Sequence, residues 1–184
     1  MTGNESAAHR GWPLTPLRCP CDLDLIDWLR TRRVHGATIM HFGTGSHHVV
    51  GRDNHLRGAN VVIGITASDE EHGHYRRLVA ADPRLAQTYQ VWCTDIYSLP
   101  ARVIPPLDIA TLFHLCEFSA HPDDDRRLMT TLAAAIRPGG HMLFYTGSDG
   151  YRETEPLILD AIDHGVLRIE ESSGSLRICV VGGS

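Results

Sequence analysis

The sequence predicts an α/β protein: a doubly wound, mostly parallel seven-stranded sheet with an antiparallel C-terminal hairpin and helices on both faces. Three observations predict it. Five short, β-rich apolar runs recur at residues 37–42, 60–65, 89–93, 107–113 and 141–146. They read as near-continuous hydrophobic segments, which marks strands covered on both faces of a parallel sheet. Helical patterns at 69–81 and 123–136 separate the later runs, as crossover connections require. The end of the chain breaks this rhythm, because residues 165–170 and 176–181 flank Ser172-Ser173-Gly174-Ser175, the turn chemistry of a β-hairpin.

Taken in order, residues 1–22 are polar and then Pro-rich (Pro13, Pro16, Pro20), an irregular lead-in. A single domain then spans 23–184. Its first helix starts at a cap formed by Asp22 or Asp24 and runs to about Arg33. Leu25, Ile26, Trp28 and Leu29 form the apolar face, and Arg30, Arg32 and Arg33 gather at the end where the helix dipole favours cations. Only 14 residues separate Gly45 from Asn60, and Gly51 interrupts them, so the helix after the first strand is short. Residues 136–140 close the fourth-strand crossover helix with Pro and Gly punctuation, and a last helix at 155–164 precedes the hairpin.

Composition narrows the chemistry. The chain has 184 residues, of which 42% are hydrophobic and 21% charged, within the globular norm. All 17 basic residues are Arg; the absence of Lys excludes Schiff-base and P-loop lysine mechanisms. A formal net charge of −5 without a basic run disfavours nucleic acid as partner. The longest apolar runs fall short of the ~20 residues of a membrane helix, and the first ten residues contain no apolar h-region, so a cytoplasmic protein is expected. The five Cys (19, 21, 93, 116, 179) are odd in number and mostly set in apolar segments, which argues against a disulfide framework.

Ligands of such sheets bind at the carboxyl ends of the strands, around the topological switch point. After the first strand comes Phe42-Gly43-Thr44-Gly45-Ser46-His47, whose glycines allow a tight turn and close backbone approach to a ligand. After the third comes Cys93-Thr94-Asp95-Ile96, with Leu99-Pro100 close behind; Asp95 also reads as a turn cap. The fourth runs from Asp108 towards Glu117, and Arg137-Pro138-Gly139-Gly140 introduces the fifth. In this order and spacing the motifs resemble the class I S-adenosylmethionine-dependent methyltransferases over roughly residues 23–181. The resemblance implies S-adenosyl-L-methionine as cofactor. It implies cofactor binding by His41, Phe42, Gly43, Thr44 and Gly45 at the glycine loop, by Thr66 at the end of the second strand, by Asp95 and Ile96 at the adenine, and by Phe113 beneath the sulfonium with His114. The chain departs from the family pattern where His41 replaces an acid, His47 a glycine, and Thr66 the acid that binds the ribose hydroxyls. Asp69 or Glu70 stands close enough in sequence to substitute for the last.

Methyl transfer is an in-line displacement in which positioning supplies much of the acceleration, and a protonated acceptor also needs a base. His114, Glu117 and His121, following the fourth strand, are the catalytic candidates, with His47 or His48 in the loop; an imidazole pKa of ~6.5 suits the role. Each histidine also reads as a structural residue, and Glu117 as a helix cap. The expected acceptor is a small molecule. Trp12 to Cys21, the segment 148–155, or the partner copy of a homodimer would cover the site. Two alternatives stay open: the same fold binding a nucleotide-like ligand or a partner without turnover, and a metal enzyme using His41, His47 and His48. No zinc spacing supports the latter, and no metal is assigned.

Overall fold

The computed structural model describes residues 20–45, 48–53, 56, 59–113, 122–147 and 151–182. Seven strands form one sheet: β1 (Thr38–Phe42), β2 (Val61–Thr66), β3 (Tyr89–Cys93), β4 (Leu107–Leu112), β5 (Ile136–Tyr145), β6 (Leu167–Ser173) and β7 (Leu176–Val181). Their order is β3-β2-β1-β4-β5-β7-β6, parallel except where β7 pairs antiparallel with β5 and β6. The chain moves outward from β1 to β3, then returns to lay β4 on β1's free edge. The switch point therefore lies between β1 and β4, where Phe42 and Leu112 are register partners.

The helices that flank the sheet include α1 (Pro20–Thr31), the single turn α2 (Val49–Arg52), α3 (Asp69–Ala81), α4 (Pro122–Ala135) and α5 (Tyr151–Asp163). Side chains along each buried strand alternate between two cores. Ile39, Val62, Val91, Ile109, Leu143 and Ile178 face α1, α2 and part of α3. Met40, Ile63, Ile65, Ala110, Leu112, Met142, Phe144 and Cys179 face α4 and α5. Both faces of β1 and β4 are buried, which accounts for the unbroken apolar runs.

The structure shifts three boundaries. β5 starts at Ile136, so the Pro-Gly-Gly segment read as a helix end is a bulged strand start. Between the Leu107–Ile136 and Ile109–His141 pairs β5 advances five residues and β4 two, and Gly139 takes φ +80°. Pro138 carries no ladder N–H, which suits a bulge. Asp108 Oδ2 holds this end together, accepting from the Thr38 amide and the Arg137 guanidinium, each at 2.7 Å. α5 begins a turn earlier than Pro156 indicates, and α1 begins at Pro20 rather than at an Asp cap. Asp24 serves the hairpin instead. Its Oδ2 accepts from the Ser175 amide at 2.7 Å and the Ser175 hydroxyl at 2.5 Å, beside Gly174 at φ +58°.

Among the described residues no helix is long and apolar enough to cross a membrane. Among the described residues Cys21, Cys93 and Cys179 form no disulfide with one another.

Two glycines separate a packing requirement from a propensity cost. A Cβ on Gly51 would lie 2.3 Å from the Tyr89 ring, whereas one on Gly73 would meet only the Arg77 guanidinium at 3.8 Å. In urea unfolding Gly51→Ala is expected to lose about 1–3 kcal/mol through overpacking. Gly73→Ala, inside α3, is expected to gain up to about 1 kcal/mol from helix propensity. Equal effects would contradict the Tyr89–Gly51 contact.

Candidate functional site

The loop that leaves β1 is built on two glycines in the left-handed region, Gly43 at φ +80° and Gly45 at φ +59°. Its amide at Gly43 donates to the Ile65 carbonyl of β2 at 3.3 Å. Thr44 is buried, its methyl against the bare Cα of Gly64, where an added Cβ would stand 2.4 Å from Thr44 Cγ2. An added Cβ on Gly45 would meet nothing within 4 Å among the described residues.

His48 pins the far side of this loop. It is 1% exposed and itself adopts φ +50°, a conformation that costs a non-glycine residue about 1–2 kcal/mol. Its Nε2 lies 2.9 Å from the Glu71 carbonyl, which can only accept, so Nε2 carries the proton. Nδ1 then accepts from the Tyr89 hydroxyl at 2.7 Å. Burial holds the Tyr89 phenol well above its ordinary pKa, keeping the donor protonated. His48 is thus fixed by β3 and α3 and is structural in its contacts.

Glu71 is the side chain that sequence reading missed. Ser68 caps α3, its hydroxyl accepting from the Glu71 amide at 3.3 Å. In a capping box the glutamate three residues after the cap returns to the cap's own amide. Here the Ser68 amide donates to Thr66 Oγ1 at 3.0 Å instead. The displaced Glu71 carboxylate reaches across the end of β2, where its Oε2 accepts from the Thr66 hydroxyl at 2.5 Å and the Thr44 hydroxyl at a long 3.4 Å. Oε1 takes no hydrogen bond among the described residues. Asp69, by contrast, accepts from the Cys93 thiol at 3.5 Å, and Glu70 is exposed. The Ser68-x-x-Glu71 spacing was the available signal, but it points to a cap rather than to the loop.

Asp95 realises its turn-cap reading: it accepts from the Tyr97 amide at 3.2 Å and the Ser98 hydroxyl at 2.9 Å, capping the 3₁₀ turn Ile96–Ser98, and stays exposed. Ile96 packs at the rim of the core. The Tyr97 hydroxyl donates at 2.6 Å to the buried Asp125 of α4. Desolvation, then the hydrogen bond and charge of Asp125, raise the Tyr97 pKa well above its ordinary value.

His41 turns away from the loop. It is buried on the α1 face, with Nδ1 2.8 Å from the Thr111 hydroxyl and Nε2 3.6 Å from the buried Asp22 carboxylate at the start of α1. Phe42 and Phe113 are buried in opposite cores, Phe113 edge-on to His41. The structure thus gathers Gly43, Thr44, Gly45, Thr66 and Glu71 at one place, with Asp95 at the next strand end, and leaves the His41, Phe42 and Phe113 side chains in the core. His47, His114, Glu117 and His121, residues 12–19 of the expected lid and residues 148–150 lie outside the described residues. Among the described residues no three His, Cys, Asp or Glu side chains form a metal-holding group.

No protein-family model and no curated protein matches the chain. Solved structures do. A magnesium protoporphyrin IX methyltransferase from Synechocystis PCC 6803 with bound S-adenosylmethionine superposes with TM-score 0.66 at 12% identity, covering 88% of this chain and 78% of that one. The N-methyltransferase NodS from Bradyrhizobium japonicum WM9 in complex with S-adenosyl-L-homocysteine gives 0.65 at 13%, covering 96% and 94%. An rRNA methylase from Clostridium thermocellum, its function described as putative, gives 0.61 at 11%, covering 92% and 100%. At these identities the likeness defines the fold: the chain has the Rossmann-like fold of the class I S-adenosylmethionine-dependent methyltransferases.

The buried phenols give a test of this geometry. A raised folded pKa favours the neutral phenol, so the associated stability is present below the free tyrosine value of ~10 and is lost as pH rises beyond it. Near-ultraviolet titration of the native chain at about pH 11 should show at most three of its five tyrosines ionised. Tyr89 and Tyr97 should ionise only on unfolding; full ionisation of folded protein would contradict their placement.

Proposed function

We propose that this protein is an S-adenosylmethionine-dependent methyltransferase acting on a small molecule. The observation that carries the reading is the glycine loop at the switch point, where a Cβ on Gly45 would meet no described atom within 4 Å, with the Glu71 carboxylate at the end of β2 and Asp95 at the end of β3. These residues fit the cofactor. The loop backbone at Gly43, Thr44 and Gly45 would take its methionyl part. Asp95, exposed and held by its turn, offers an acceptor to the adenine amine, with Ile96 against the ring. Bound there, the cofactor supplies a methyl group on a sulfonium, which leaves to a nucleophile while sulfur keeps the bonding electron pair.

The chain's own part is to orient the acceptor and take its proton. His114, Glu117 and His121 follow β4 in the sequence, and β4 is the strand paired with β1; we assign them the acid–base role. A formal net charge of −5 without Lys supports a small acceptor over RNA, whose backbone selects for basic contacts.

Titration calorimetry with S-adenosylhomocysteine should show binding that Asp95→Ala weakens roughly tenfold, the loss of one hydrogen bond to a charged group. Methyl-labelled cofactor offered with a panel of small amines, phenols and carboxylates, and separately with rRNA, should label a small molecule. Binding without transfer to any acceptor would favour the ligand-binding alternative, label on rRNA alone would overturn the acceptor class, and no binding by folded protein would overturn the reading.

A further inference from the structure

The two edges of the sheet are finished differently. At one, Tyr75 of α3 lies against β3, and its hydroxyl donates to the Tyr89 carbonyl at 3.0 Å. The other edge is β6. The Gly182 amide donates to the Val166 carbonyl at 3.0 Å, and the Thr146 amide to the Ser175 carbonyl at 2.8 Å. The even-numbered residues of β7 therefore serve β6, and the odd-numbered ones serve β5. Arg168, opposite Val180, is one of the β6 residues so engaged. Alternation along the strand then directs the amides and carbonyls of Leu167 and Ile169 out of the sheet. An edge in this state is a template for another strand.

The side chains of this edge sort by face. Leu167 and Ile169 pair with Val181 and Cys179, so they lie on the α5 side, Leu167 buried and Ile169 42% exposed. Arg168 and Glu170 lie on the α1 side, where Glu170 Oε2 meets His141 Nε2 at 2.8 Å and Arg32 at 4.0 Å. The extra residue between Ile169 and Glu171 bulges β6 and turns Glu171 to the same side, 2.8 Å from Arg32. Arg168 makes no ion pair among the described residues. Three of the five large hydrophobic side chains exposed among those residues, Leu159 of α5, Val166 and Ile169, also gather at this end of the molecule.

We propose that β6 pairs antiparallel with β6 of a second copy, about a twofold axis through Ile169 and perpendicular to the sheet, to form a homodimer. Charge decides both the occupant and the register. With the axis at Ile169, Arg168 of each copy stands opposite Glu170 of the other on the α1 side, and the two Ile169 side chains meet on the α5 side. Opposite charges and β-branched side chains across a strand pair stabilise it, while like charges directly opposite destabilise it. An axis one residue earlier would set the two Arg168 side chains against each other. The Ile169 amide and carbonyl of each copy exchange hydrogen bonds across the axis. The contact is closed, so it occupies the edge in both copies without propagating. Because β6 stands four places from β1 in the sheet, the second copy joins far from the glycine loop, and the inference does not rest on the cofactor reading.

Sedimentation equilibrium of the full chain at about 100 μM should give twice the 20.4 kDa of one copy. Arg168→Glu, Glu170→Arg and Ile169→Lys should each weaken self-association by roughly tenfold or more, with the circular dichroism of the wild type. An equimolar mixture of the Arg168→Glu and Glu170→Arg chains should recover the dimer, since one edge then carries two acids and the other two bases. Amide hydrogen exchange gives a readout without substitution. The Ile169 amide should be protected in concentrated protein and exchange faster on dilution, whereas the Arg168 amide, bonded to β7, should not respond.

A wild type that stays monomeric at this concentration would overturn the inference. A dimer that persists in Arg168→Glu and Ile169→Lys would overturn it by moving the contact elsewhere. Folded Arg168→Glu and Glu170→Arg chains that fail to associate when mixed would refute the charge pairing. Exchange at Ile169 that ignores concentration would refute the edge contact itself.

Discussion

The glycine loop can lie against β2 only because residue 64 has no side chain. A Cβ there would stand 2.4 Å from the Thr44 methyl and 3.0 Å from the Tyr89 hydroxyl. Much of the site's arrangement follows from this close approach. Thr44 is buried with its hydroxyl aimed at Glu71, and the Tyr89 ring fills the space over Gly64 and Gly51 with its hydroxyl meeting His48. The single turn of α2 sits beside this approach, and both ring nitrogens of His48 are engaged, Nε2 with the Glu71 carbonyl and Nδ1 with the Tyr89 hydroxyl. These bonds offset the backbone cost of His48 at positive φ, a conformation that histidine tolerates better than most residues.

Both acids that the family pattern places on strands have been replaced here by uncharged or weakly basic side chains, and in both cases a helix brings a carboxylate to the same neighbourhood. His41 on β1 meets Asp22 of α1, and Thr66 at the end of β2 meets Glu71 of α3. The two exchanges differ in consequence. The Asp22 carboxylate is buried on the α1 face, where it ties the first helix to the centre of the sheet beside Thr111. The Glu71 carboxylate is only half-buried and lies at the end of β2 against Thr66 and Thr44. Burial without a partner penalises a charge heavily, so the first arrangement belongs to the core, and the second to the strand ends.

The sheet was legible in the sequence because its strands are covered on both faces, and the resulting apolar runs at β1, β2, β4 and β5 leave little ambiguity. The hairpin was legible from Gly174 in its turn. What misled was punctuation. Arg137-Pro138-Gly139-Gly140 reads as a helix stop but forms a bulged strand start, because Asp108 on the neighbouring strand anchors Arg137 and the ladder resumes at His141. Pro156 reads as a first-turn residue, yet the helix starts five residues earlier. Local rules place Pro and Gly where a ladder is interrupted without saying which kind of ladder it is.

The sequence by itself determined the fold class, the position of the glycine loop and the acid after β3, since each depends on periodicity or on residues a few positions apart. It also showed that the acid after β2 was missing. Only the tertiary structure decided what stands in its place. Asp69, Glu70 and Glu71 are equivalent as a string, and their roles diverge because a helix turns about 100° per residue and sends each in a different direction: one to Cys93, one to solvent, one across the strand end to Thr66 and Thr44. The long-range part of that selection is Thr44, which the loop after β1 brings to the Glu71 carboxylate from 27 residues away in the chain.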